Sequence, residues 1–173
     1  VGQIVTEEEF EHVQKVFDIT KKRERSTIPP ISVAISKYRG RMLNPDDVLN
    51  LFAGNITTCC QKFGDIGEGA MMLGSIEENG GIFVVEELDE KGQTKNIIGQ
   101  SLTIRQKGED GAYDRLTFDN IEINNGTLEE LSPKEQEQIL EIYKQAGKQA
   151  IEKDKKFLGK LLRNGKITQE QYD

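Results

Sequence analysis

"GGIFVVEELDEKGQTKNIIGQSLTIRQKGEDGAYDRLTFDNIEI", residues 80–123, decides the fold class. Three runs rich in apolar and β-branched residues (80–88, 95–106 and 114–123) are separated by the turn-rich connections "DEKGQT" and "KGEDGAYD". Connections this short join antiparallel neighbours, so the spacing predicts a meander. In the third run the apolar alternation of Leu116 and Phe118 changes phase before Ile121 and Ile123, which a bulge near Asp119–Asn120 would explain.

Helical signals flank this sheet. Ser132-Pro133-Lys134-Glu135 combines an N-cap, a first-turn proline and a capping-box glutamate. Ile139, Ile142, Tyr143, Ala146, Ala150 and Ile151 follow at helical spacing, and the stripe continues to Leu158, Leu161 and Leu162 before Asn164-Gly165. Thr168 to Gln171 forms a further capping box. Upstream, Thr6 and Glu9 cap a helix expected to about residue 24, which Pro29-Pro30 stops. "ISVAISKY" (31–38) alternates as a strand, and Asn44-Pro45 opens a second helix that Gly54 is expected to end. The expected fold is α+β: N-terminal helices, a central, mainly antiparallel twisted sheet, and a long C-terminal helix with a terminal helical hairpin. Residues 1–151 would form one domain and 152–173 a helical extension.

The 173 residues are 35% hydrophobic and 31% charged, enough for one core plus an exposed helical appendage. A net charge of −7 argues against a general nucleic-acid binder, because such a surface needs a basic footprint. The basic clusters at 21–25 and 153–166 fall where helices should end, and there they oppose the helix dipole. No apolar run reaches the roughly 20 residues of a membrane span, and the acidic, amphipathic start does not resemble a signal peptide. Vicinal Cys59 and Cys60 make a poor disulfide, so a reducing, cytoplasmic setting is expected. A start at Val1 instead of Met is expected of a fragment of a longer protein.

The order of strands 80–88, 95–106 and 114–123 and helix 133–151, preceded by two helices, resembles the central part of the Gcn5-related N-acetyltransferase (GNAT) fold. "NIIGQSLTI" is similar to that family's third strand, and "RLTFDNIEI" to its fourth, whose bulge exposes backbone groups to acyl-CoA. The resemblance covers about half the chain. It implies acetyl-CoA or another acyl-CoA as co-substrate, with a small-molecule or protein amine as acceptor. It also implies Glu122 as general base. Read from the residues themselves, Asp119 is its near neighbour across the bulge, and Tyr113, beside Asp114, is the other hydroxyl to test as a proton donor. The family's pyrophosphate loop would fall at "NNGTLEELSP", where Asn125 and Gly126 are followed by two glutamates that oppose an anion. The tail "KFLGKLLRNGKITQEQYD" resembles the helical hairpin of SHOCT-type C-terminal domains.

Other residues compete for a functional role. Gly64, Gly67 and Gly69 give a Gly-x-x-Gly-x-Gly spacing before a short apolar stretch, either a backbone-built phosphate loop or a structural turn. Cys59 and Cys60 have one histidine, His12, to activate them or to complete a ligand set. Two cysteines and one histidine fall short of a structural zinc site, so no metal is expected. Burial in a strand is the plain reading of both thiols. For Glu122 and Asp119 it is solvation on an exposed strand. Two functions follow. One is acyl-CoA-dependent N-acyl transfer. The other is a non-catalytic binding or assembly module of a larger protein, phage- or plasmid-related in texture, associating through its helical ends as a homo-oligomer or within the parent chain.

Overall fold

The computed structural model describes residues 31–44, 47–57, 80–107 and 113–164, together with residues 7, 11, 12, 14 and 15. Its strands are β1 (Ser32–Ile35), β2 (Tyr38–Met42), β3 (Gly80–Leu88), β4 (Thr94–Lys107) and β5 (Tyr113–Ile123). They form one antiparallel sheet in the order β1-β2-β3-β4-β5. The helices are α1 (Leu49–Thr57), α2 (Asn125–Glu130) and α3 (Pro133–Arg163). The α+β class and the meander over 80–123 are as the sequence predicts.

Both faces of the sheet carry core. On one face Phe83, Val85, Tyr38, Val33 and Ile98 pack against Ile139, Ile142, Tyr143, Ala146 and Ala150 of α3. On the other, Ile82, Val84 and Leu102 pack with Leu51 and Ala53 of α1. The central strand β3 therefore reads "IFVV" without a polar break, since successive side chains enter different buried layers. Phe83, Phe118 and Tyr143 meet edge-on or tilted with centroids 5.1–5.2 Å apart, joining β3, β5 and α3. Gly40 lies against α3 on the same face: a Cβ there would lie inside contact distance of Ile142 and the Phe83 ring.

Three local expectations are corrected. The stretch 31–38 is not a single strand but the first arm and turn of a hairpin, with Ile35 paired to Tyr38. Ser36 turns the chain at φ 56, the positive φ that two-residue hairpin loops require and that glycine or asparagine usually supplies. The second helix begins at Leu49, not after Asn44, because Asp47 Oδ1 accepts from Leu49 N–H at 3.0 Å and so acts as the cap. Gly54 does not end it; the helix continues to Thr57, whose hydroxyl donates back to the Ala53 carbonyl.

The bulge in β5 is present. Gln100 pairs with Glu122 and Leu102 with Asp119, so Ser101 alone faces Asn120 and Ile121. Asn120 takes φ 38 there. The extra residue returns Ile123 to the α3 face and leaves Ile121 39% exposed. At the C-terminal end α3 runs unbroken across residue 151, its 31 residues spanning about 46 Å at 1.5 Å per residue. The capping box at Ser132 forms as expected, with Ser132 N–H and Oγ both donating to Glu135 Oε2 at 2.9 and 2.7 Å. Residues 7, 11, 12, 14 and 15 are helical. The rest of the expected N-terminal helix and the terminal hairpin at 165–173 lie outside the described residues.

Candidate functional site

The expected acid–base residues sit at the bulge. Strand alternation alone would send Asp119 and Glu122, three apart, to opposite faces. The two-for-one step at Asn120–Ile121 resets the phase, and both pair with residues whose side chains point to the α1 face. Asp119 is exposed and Glu122 half-buried opposite the buried Gln100. On the α3 face of the same step, Ser101 Oγ donates to the Asn120 carbonyl and lies 3.2 Å from Tyr143 OH. With the Ser101 proton committed to that carbonyl, the Tyr143 hydroxyl is the donor between the two side chains. Burial pushes Tyr143 up to about 12, so it stays protonated and able to donate at neutral pH. Tyr113 opens β5 opposite Lys107.

The segment expected to offer amides is a capped helix start. Asn124 caps α2, and its Oδ1 accepts from Gly126 N–H at 3.0 Å. The Asn124 amide also donates to the Ile56 carbonyl of α1 at 3.2 Å, tying the two helices together. The Gly126 cap would have to open before its amide could meet a phosphate, and exposed Glu129 and Glu130 follow within the same short helix. Asn125 is the first residue of α2. Gly64, Gly67, Gly69, Cys59 and Cys60 lie outside the described residues.

Two carboxylate-centred networks emerge that the sequence reading did not single out. Glu86 is fully buried on the α1 face, and both of its oxygens are taken. Arg39 Nε donates to Oε2 at 2.7 Å and Arg41 Nε to Oε1 at 2.8 Å. Arg41 also bridges to Asp47 Oδ2 at 3.0 Å, and Arg39 donates to Thr94 Oγ1 at 3.0 Å. One buried anion thus fixes β2, β3, the start of β4 and the cap of α1. With each oxygen engaged by a guanidinium and the side chain fully buried, this group joins elements.

Glu87, the next residue, serves the α3 face. Lys37 lies 3.3 Å and Lys95 3.4 Å from it, and Asn96 donates to it at 3.1 Å. Lys37 also reaches Glu135 at 3.0 Å, where Tyr38 OH donates at 2.9 Å. The Ser132 side-chain and backbone hydrogen bonds, then Lys37 and Tyr38, hold Glu135 down at about 2. The hydrogen bond to Glu135, then Tyr38, raises Lys37 above the ordinary lysine range. The network pins the β1–β2 hairpin to the N-terminus of α3. In sequence its trace is a pair of glutamates closing an apolar run and the cations of "KYRGR", whose i, i+2, i+4 spacing does not show that Lys37, in the turn, serves the other face from Arg39 and Arg41.

Among the described residues no three His, Cys, Asp or Glu side chains group as a metal site requires, and no helix is long and apolar enough to cross a membrane. Compared with known protein families, characterised proteins and solved structures, the chain finds no match in any of the three.

Proposed function

We propose that this chain is a non-catalytic binding and assembly module. The observation that carries the reading is the ladder that joins β4 to β5 over nearly their whole length, from Gly99↔Ile123 to Lys107↔Tyr113, beneath a face packed by α3. Acyl-CoA held in the manner of the resemblance needs strands that splay and present unpaired amides. Here the amides facing across these strands serve the ladder, interrupted at the bulge and between Gln106 and Lys107. The polar clusters on both faces are consumed in joining elements, as a scaffold requires. Titration with acetyl-CoA, followed by calorimetry and by amide shifts at residues 97–106 and 113–123, tests the reading. No heat and no shifts are expected; saturable binding would overturn it.

A second reading, an acyl-CoA-dependent N-acyltransferase, draws support from one observation: the bulge gathers Glu122 and Asp119 on one face. In that reading Glu122 takes a proton from the acceptor amine through water, and the amine nitrogen attacks the thioester carbon. The C–S bond then breaks, and the CoA thiolate leaves and is protonated. Amine-dependent release of CoA, abolished in Glu122→Gln, would establish it over the first.

A further inference from the structure

We propose that the outer edge of β5 is a self-association surface, on which residues 115–119 pair antiparallel with the same residues of a second copy about a two-fold axis at Thr117. The inference deepens the assembly reading by naming the partner.

Sheet order leaves β5 with one neighbour, β4, among the described residues. Arg115, Thr117 and Asp119 are exposed, and their pairing partners on β4 place them together on the α1 face. Leu116 and Phe118 alternate to the α3 face, where they pack against the core. A strand edge of this kind is a template for another strand unless something blunts it.

The side-chain order selects both the partner and the register. With Thr117 opposite its own copy, Arg115 of each chain lies opposite Asp119 of the other, and Leu116 lies opposite Phe118. Opposite charges and Thr–Thr contacts are favourable cross-strand pairs, and they occur here twice and once by symmetry. A two-residue slip in either direction puts Thr117 opposite a charge and separates the acid from the base. A one-residue slip turns one copy over, setting its α3 layer beside the other's α1 layer. Arg115 also takes part in an interaction within its own chain, which is compatible, since a guanidinium carries five N–H donors. The bulge at Asn120 and Ile121 bounds the paired segment.

The opposite edge does not compete. β1 has four residues, and exposed Ser32 and Ala34 offer Arg115 and Asp119 no counter-charge. Joining β5 to β1 would also be head-to-tail and would propagate, whereas β5 on β5 closes after two copies. Five residues per chain bury less than the roughly 1,200 Å² of a standard interface, so the dimer should form reversibly as concentration rises.

Sedimentation of the full chain over a wide concentration range at fixed ionic strength should show the mass climbing from 19.5 kDa toward twice that value. Arg115→Asp and Asp119→Arg should each remain monomeric alone, form a heterodimer when mixed, and regain self-association when combined in one chain. In a Cys59→Ser/Cys60→Ser background, Thr117→Cys should cross-link to itself under mild oxidation. Directly opposed Cα atoms lie about 4.5–5.5 Å apart, within disulfide reach. Ser32→Cys should stay unlinked. A wild-type chain that is monomeric throughout, or equal cross-linking from Ser32 and Thr117, overturns the proposal. Monomeric behaviour without acetyl-CoA binding would leave the assembly reading standing with another partner, while a dimer that binds acetyl-CoA would remove that reading and keep this interface.

Discussion

Ser101 donates its hydroxyl proton to the backbone carbonyl of Asn120, across the step where β5 sets two residues against one on β4. A small hydroxyl on the α3 face thereby holds the bulge, with Tyr143 behind it. Ser101→Ala leaves that carbonyl and the buried Tyr143 hydroxyl each short of a partner. It should cost about 1–3 kcal/mol of stability, the desolvation cost of an unsatisfied buried group. Urea unfolding reads this directly. An unchanged midpoint would mean that the bulge holds without Ser101.

Asn120 itself is held at φ 38, which asparagine tolerates and a β-branched residue does not. Asn120→Gly should leave the thermal midpoint close to that of the wild type, while Asn120→Val should lower it clearly. A matched pair of melting curves decides, and equal midpoints would argue that the loop relaxes to negative φ.

At Gly40 the constraint is space. An added methyl meets Ile142 and Phe83, neither of which can withdraw without lifting α3 from the sheet. Gly40→Ala should destabilise by about 1–3 kcal/mol, the usual range for overpacking, and its denaturant midpoint should fall accordingly.

Acid titration isolates the hairpin clamp. Glu135 is held at about 2, chiefly by Ser132 and then by Lys37 and Tyr38. For Glu87, burial pushes upward but the Asn96 and lysine contacts prevail, and it is lowered. A lowered carboxylate contributes stability above its unfolded pKa of about 4.3 and loses it as pH falls through the folded value. Stability should therefore decline from about pH 4.3 toward 2, and Glu135→Gln should flatten that decline. Unfolding curves at stepped pH measure the difference, and identical slopes would exclude Glu135 from the clamp.

Removing the buried anion should be more damaging. Glu86→Gln leaves Arg39 and Arg41, neighbours on one face of β2, without the anion between them, at a cost of about 3 kcal/mol, the low end for a broken buried pair because both arginines reach solvent. Replacing all three together (Glu86→Leu, Arg39→Met, Arg41→Met) should recover most of the loss, as calorimetry of the two variants would show.

Legibility followed the range of the forces involved. The strands at 80–123 and the start of α3 were readable because apolar period, turn composition and capping boxes are local. Even the bulge left a mark, as a slip in alternation between Phe118 and Ile121. The turn at Ser36–Lys37 did not, since neither residue is a usual bearer of its backbone geometry. The burial of Glu86 was out of reach because its partners lie 45 and 47 residues away, and they are not the cations nearest in sequence, Lys91 and Lys95. Glu122 and Asp119 were found as residues, but their shared face depended on a pairing register that sequence pattern does not supply.

Glu86 and Glu87 are consecutive, yet they answer to different cations on opposite sides of the sheet. Sliding β3 by one position would exchange them, carrying Glu86 away from its arginines and exposing each apolar layer to the other's residues. The doublet acts as a ratchet tooth for the whole meander. Once both glutamates have found their partners, β2 and β4 have one place each to dock, and the alignment of every other strand follows from that choice.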